Sequence, residues 1–572
     1  MKEAPVKRLN IRIMSSMDGL EPHVYEGKTG GTNLAFCCTI SRMKSSFLLA
    51  ICLAASAAAQ TTADNVKPAA PAATESVTAP KVNEPLLAAR AMMKKGKLTD
   101  AAAAFKALVE KDPTLAEAHA GLVRCLLSAN QLDEADGAAK KALAALPSSA
   151  VVHAAVGDVA FRAGNFADAE KEYRAALKID TNSARAIYGM GRMLHMVSLN
   201  KRAKENFARA HQLDPEDSQI TRGWLNTLPY SEQLEQLKKM DIDADEKANR
   251  QRLLTALSAK KPWVLASEIK PMEIKMPHYG RKVEYTYDID RNPTTISKGY
   301  GLQVKFNDRV SAELLLDTGA GGITIGRKLA ERAGAIKIAD TWIGGIGDKG
   351  AVESYEAWID KINIGGVEFH NCVVTVSSKN NVADEAGLIG TDVFDEFLIT
   401  LDFHEQRMLL APLPKNPAAS PDEKWQDRYI APEMQGFTKF YRFYHDIVVP
   451  VVVNDKATGN FILDTGAELN SMSKRLAAQV TKATAEDEYR IHGVSGSVQQ
   501  VLTGQKAILQ FAKMRIESHD LPVFSLDNHS ANEGTEIAGF IGIKVLVQMK
   551  MTIDYRDGLV NLEVYEFKKA RE

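Results

Sequence analysis

The sequence predicts an all-α repeat solenoid followed by an all-β domain of two lobes. Three observations predict it. Pro113, Pro147, Thr181 and Pro215 mark a helical period of 34 residues (147 − 113, 181 − 147, 215 − 181). Beyond about residue 262, short β-rich runs replace the helical spacing. In that β half the string Asp-Thr-Gly-Ala occurs twice, each time at the tip of an apolar run. A chain of 572 residues needs more than one hydrophobic core. Its 45% hydrophobic and 25% charged residues are ordinary globular values, and a formal net charge of −1 speaks against a general nucleic-acid binder.

The first element is an export signal, expected at 43–59. Lys44 gives the positive start, Phe47 to Ala55 the apolar core and Ala57-Ala58-Ala59 the small-residue cleavage site. The apolar run is too short to span a membrane stably. Residues 1–42 then read as an upstream extension before an initiating Met43, the alternative being a genuine long N-terminus. The expected destination is the periplasm. Of the five cysteines, cleavage after Ala59 would keep Cys125 and Cys372, which fall in different domains. Neither a disulfide nor a zinc-type cluster is expected from them, and no metal or other cofactor. Residues 60–84, rich in Ala, Pro and Thr, cannot bury enough surface to fold and read as a tether.

The helical domain is placed at 85–258. Gly96, Asn130, Gly164 and Ser198 share the period as turn residues, and Ala101, Ala135, Ala169 and Ala203 share it as small residues where two helices approach. This pattern resembles the tetratricopeptide repeat. Four repeats over about 83–218, with further helix to 258, should stack into a curved solenoid. The resemblance implies a protein or peptide partner on the concave face, or a role in assembly.

The β half divides into lobes at 262–415 and 440–567, bridged by a proline-rich linker at 416–439. The runs "AELLLDTGAGG" and "GNFILDTGAEL" place Asp317 and Asp464 at strand tips. Asn307-Asp308 precedes one acid by ten residues and Asn454-Asp455 the other by ten (317 − 307, 464 − 454), each breaking one β-rich run from the next. Glycine-rich segments follow, "WIGGIGDKG" and "IHGVSGSVQ", then "GLIGTDVF" and "GFIGIKVL", then "ITLDF" and "MTIDY" closing each copy. One β unit has been duplicated.

These motifs resemble the retropepsin-like and pepsin-like aspartic proteases, over about 296–415 and 440–565. The resemblance implies a hydrolase in which Asp317 and Asp464 form a catalytic pair. Peptide hydrolysis without metal or covalent intermediate needs one group to take a proton and another to give one. Two carboxyls about 3 Å apart can share a proton, because both cannot ionise there. Thr318 and Thr465 are expected to hydrogen-bond across the axis, and Gly319 and Gly466 to bring backbone N–H groups to the carboxylates. Gly344, Gly345, Ile346 and Gly347 in one copy, and Gly493, Val494 and Ser495 in the other, should form flaps over an extended peptide. The second flap departs from the retroviral pattern, and neither carries the tyrosine of pepsins. Ala320 and Ala467 replace hydroxyl residues, so an optimum in mild acidity is expected.

The expected partner is therefore a peptide or protein substrate, with the lobes pairing within one chain; pairing with a twin lobe of a second chain is the other arrangement. From a different class stands a non-catalytic peptide-binding or scaffold protein built on the same fold. His445, His492, His519 and His529 show no ligand-pair spacing and read as surface or loop residues.

Overall fold

The computed structural model describes residues 13–15, 83–279, 284–287, 293–296, 299–377, 386–417, 425–485 and 491–565. The expected signal, nearly all of the tether and nearly all of the upstream extension lie outside them. Among the described residues no helix is long and apolar enough to cross a membrane.

Helices run from Glu84–Lys94 to Ala244–Ala259 in antiparallel pairs. The turn residues of the 34-residue period carry the period's geometry. Gly96, Asn130, Gly164 and Ser198 all have positive φ, between 58° and 74°, where each helix pair reverses. Ala101, Ala135, Ala169 and Ala203 are fully buried in the helix contacts. Larger side chains fill the space between repeats: the Tyr173 ring lies against Gly157 and Gly189, where any β-carbon would collide with it. Its hydroxyl donates to Asp158, which Arg185 and Arg192 also hold.

The rest, from Val264 to Val564, is almost all β. The first lobe is an eight-stranded sheet and the second contributes ten strands to an eleven-stranded one, whose edge is extended by Ile13–Ser15. Asn307-Asp308 and Asn454-Asp455 have φ of 47° to 55°, the left-handed pair a two-residue hairpin requires. They join Gly301–Phe306 to Val310–Leu316 and Asp446–Val453 to Ala457–Asp464.

The two closing strands do not simply finish their own lobes. Phe397–Asp402 and Met549–Asp554 pair antiparallel with each other at the centre of a six-stranded sheet shared by both lobes. Thr400 faces Thr552 with hydroxyls 3.0 Å apart, and Ile399 and Leu401 face Ile553 and Met551. Equivalent residues meeting antiparallel define a twofold axis through the Thr400–Thr552 pair. One continuous apolar core, from Ile274 to Val560, runs through both lobes. The lobes therefore pair within one chain.

The solenoid docks on the second lobe through its turn edge. Asn130 donates to the Asp527 carbonyl, the Gly164 carbonyl accepts from Asn460, and Ser198 lies beside Gly558. Phe161 and Phe166 pack against Tyr441 and Phe443. The interlobe linker joins this contact: Leu199 bridges to Asp427, whose carboxylate takes Arg202 at 3.0 Å. At its far end the helix Ala244–Ala259 reaches the first lobe, where Asn249 exchanges two hydrogen bonds with the backbone of Asp340, at 2.8 and 2.9 Å. Cys125 and Cys372 are buried, free thiols in separate domains.

Candidate active site

Each apolar strand delivers its acid because a second strand runs parallel beside it. Gly387–Ile389 pairs with Val310–Leu316, and Gly539–Gly542 with Ala457–Asp464. The Ile389 carbonyl accepts from Asp317 N at 2.9 Å, ending the strand at the acid. Glycine is required at these crossings. A β-carbon on Gly390 would collide with the Ala320 carbonyl, and one on Gly542 would lie 2.6 Å from the Leu469 carbonyl.

Beneath the acids, Thr318 and Thr465 interlock. Thr318 Oγ1 donates to the Leu463 carbonyl at 2.7 Å and accepts from Thr465 N at 3.0 Å. Thr465 Oγ1 returns the pattern, donating to the Leu316 carbonyl at 3.0 Å and accepting from Thr318 N at 3.0 Å. Both residues are buried, so four bonds in a dry setting fix the two loops against each other.

Gly319 and Gly466 lie where the loops cross. A β-carbon on Gly319 would sit 2.8 Å from Asp464 Cγ, and one on Gly466 2.5 Å from Asp317 Cγ. Each glycine thus touches the other lobe's carboxylate, and Asp317 and Asp464 meet on the axis. Gly319 N donates to Asp317 at 2.8 Å; Gly466 N and Ala467 N donate to Asp464 at 2.8 and 3.0 Å. Burial, and then the neighbouring Asp464 charge, hold the Asp317 carboxyl well above the usual carboxylate range. Burial raises Asp464 as well, against its two N–H donors and a hydrogen bond from Asp317. The pair titrates as a unit that shares one proton.

The two glycine-rich segments drawn from sequence meet each other. Both glycine-rich segments are hairpin tips. Gly344, Gly345, Ile346 and Gly347 turn between Ile336–Ile343 and Val352–Ile364. Val494 and Ser495 turn between His492–Gly493 and Gly496–Ser497. The tips bond to one another: Ser495 N donates to the Ile346 carbonyl and Lys349 N to the Ser495 carbonyl, each at 3.0 Å. Gly347, at φ 134°, packs against the Ser495 backbone, and Gly345 against Val494.

The family model for aspartyl protease matches residues 302–393 and 449–545, one segment in each lobe and each holding one of the paired acids. The β half is an aspartyl protease-family domain. A tetratricopeptide repeat model matches residues 92–159, within the solenoid. No curated protein matched the chain in the same comparisons. Repeats of this kind mediate protein–protein contact, here between the solenoid and the aspartyl protease domain itself.

Two features of the aspartyl protease domain escaped the sequence reading. His445 is a loop residue, in the turn between Tyr441–Phe443 and Asp446–Val453, but a half-buried one: its Nε2 lies 3.2 Å from the Gly319 carbonyl, so the second lobe steadies the first lobe's acid loop. His529 is not isolated either. With Asp446 and Glu533 it forms a cluster whose potential ligand atoms all lie within 4.8 Å of one another. Its only trace in the sequence is His529 and Glu533 four residues apart, a spacing that puts both on one side of a helix.

Proposed function

We propose that this chain is an aspartic endopeptidase acting on extended peptides held between the acid pair and the closed flaps. The meeting of Asp317 and Asp464 against each other's loop glycines carries the reading. Asp464, with two backbone donors, is the ionised member and takes a proton from water as its oxygen attacks the scissile carbonyl carbon. Asp317 gives its proton to the carbonyl oxygen, producing a gem-diol. Collapse returns a hydroxyl proton to Asp317; the amide nitrogen takes the proton held by Asp464, the C–N bond breaks, and the starting state is restored. The flap backbones supply peptide N–H and carbonyl groups for main-chain pairing with substrate. With the leader-like segment at 43–59, the setting proposed is the periplasm, and the working unit is one chain.

The test is hydrolysis of a mixed peptide library between pH 3 and 7 by the wild type, Asp317→Asn and Asp464→Asn. Each variant is expected to lose at least ~100-fold in kcat/KM, the scale of one lost proton-transfer group. Wild type that cleaves nothing, or variants that cleave as well as wild type, would sink the proposal and favour a peptide-binding shell.

A further inference from the structure

The Asp446–His529–Glu533 cluster lies outside the acid pair, and protein groups do not satisfy it. Asp446, 1% exposed, opens the strand Asp446–Val453. His529 and Glu533 come from the short helix Asp527–Glu533, one turn apart. Asp446 Oδ2, His529 Nε2 and Glu533 Oε2 are each buried with no hydrogen-bond partner. Among the described residues, neither lysine nor arginine forms an ion pair with any of the three. The His445 imidazole lies 3.3 Å from the other Asp446 oxygen, and its Nε2 also faces the Gly319 carbonyl. Buried lone-pair atoms that converge without donors are destabilising in a protein interior unless something positive joins them.

We propose that Asp446, His529 and Glu533 bind one first-row divalent cation, Zn²⁺ or Mn²⁺, through Asp446 Oδ2, His529 Nε2 and Glu533 Oε2. Bonds of ~2.0–2.2 Å from a central ion leave ligand atoms up to ~4 Å apart, so the observed separations need only small side-chain adjustment. One imidazole nitrogen with two carboxylates suits these ions better than Mg²⁺, which favours all-oxygen shells. The site belongs to the second lobe alone: counting back from each catalytic acid, Gly299 stands where Asp446 does (464 − 446, 317 − 299). Its position gives the ion a structural purpose. Asp446 follows His445, which holds the first acid loop, and the helix bearing His529 and Glu533 also carries Asn532, packed under Gly344 of the first flap. The ion braces both.

The full chain, stripped with chelator and dialysed against Zn²⁺, Mn²⁺ or Mg²⁺, is tested by metal analysis and titration calorimetry. One Zn²⁺ or Mn²⁺ per chain is expected, with a raised Tm. Glu533→Gln and His529→Ala should weaken binding by at least ~10-fold. Asp317→Asn and Asp464→Asn should leave it intact, which separates this site from the acid pair and from the success of the protease proposal. In the wild type, metal should slow amide exchange across 444–448 and 527–535, a readout independent of whether the variants fold. No retained ion, an equal response to Mg²⁺, binding abolished only by the acid-pair variants, or unchanged exchange in those segments would overturn the proposal.

Discussion

The two lobes agree at the axis and diverge away from it. At the axis the threonine interlock is reciprocal to within 0.3 Å, since its four bonds span 2.7 to 3.0 Å. Away from it the shared strands and hairpin turns remain, but the flaps and their surroundings differ. The first flap rises on strands of eight and thirteen residues, the second on strands of two and two. The second lobe alone supplies His445 and the Asp446 cluster, and it carries the solenoid's turn edge. The first meets the solenoid through its flap. Duplication supplied two copies of every part, and packing holds most closely symmetric those that meet their own equivalents. Each of the others has one neighbour and is free to change with it.

The largest effects are expected from breaking that symmetry at its tightest point. Gly319→Ala and Gly466→Ala would each push a methyl into the opposite carboxylate, and a displacement near 1 Å in a reacting pair costs ~100-fold. Gly466→Ala should fall further, because its β-carbon comes closer, 2.5 Å against 2.8 Å. Peptide hydrolysis rates decide this, and a variant with unchanged rate contradicts the crossing described here. Next, Thr318→Val and Thr465→Val each strip partners from two buried backbone groups of the other lobe. At ~1–3 kcal/mol per orphaned group, urea unfolding should show losses of ~2–6 kcal/mol, equal for the two. Unequal losses would mean that the interlock is less symmetric than its distances.

A smaller effect tests the charges. Burial raises Asp317 and Asp464, and pushes Glu533 and Asp554 up to about 7. The folded chain therefore keeps protons that the unfolded chain has released above about pH 4. Stability should be fully present at low pH in this respect and decline as pH rises through 7. Tm measured without added metal should drop from pH 5 to pH 8, and Asp317→Asn should flatten the slope by removing one first-lobe contributor. A Tm that climbs over that range contradicts these shifts. For the proposed hydrolysis, the raised acid pair predicts a rate optimum in mild rather than strong acid, to be checked by a pH–rate profile.

The smallest effect concerns the flaps. Asn249→Ala removes two exposed hydrogen bonds from the first flap's strand, which should cost under ~1 kcal/mol globally. Amide exchange across 336–343 should nevertheless quicken while the second flap is unchanged. Equal change in both flaps would show that their tip-to-tip bonds, not the solenoid, set the lid's stability.

Much of this was legible in the sequence, for a physical reason. Gly96, Asn130, Gly164 and Ser198 repeat because a tight helix reversal needs positive φ in every repeat. Asp317 and Asp464 announce themselves because each sits in a short local motif bound by its own loop. The hairpin turns at Asn307 and Asn454 are local as well. Other features depended on distant partners. "ITLDF" and "MTIDY" read as ordinary closing strands, and nothing in either says that it pairs with the other. His445 serves a carbonyl 126 residues earlier in the chain. Asp446 joins a helix more than eighty residues later (529 − 446). No period or spacing encodes such a meeting; only the folded second lobe does.

Asn249 holds both the N–H and the carbonyl of Asp340, so the first glycine-tipped hairpin is leashed to the last helix of the solenoid. To swing clear, the first hairpin must either let go of that side chain or drag the helix with it. Whatever grips or bends the repeats at that end therefore pulls on that hairpin, some ninety residues down the chain (340 − 249).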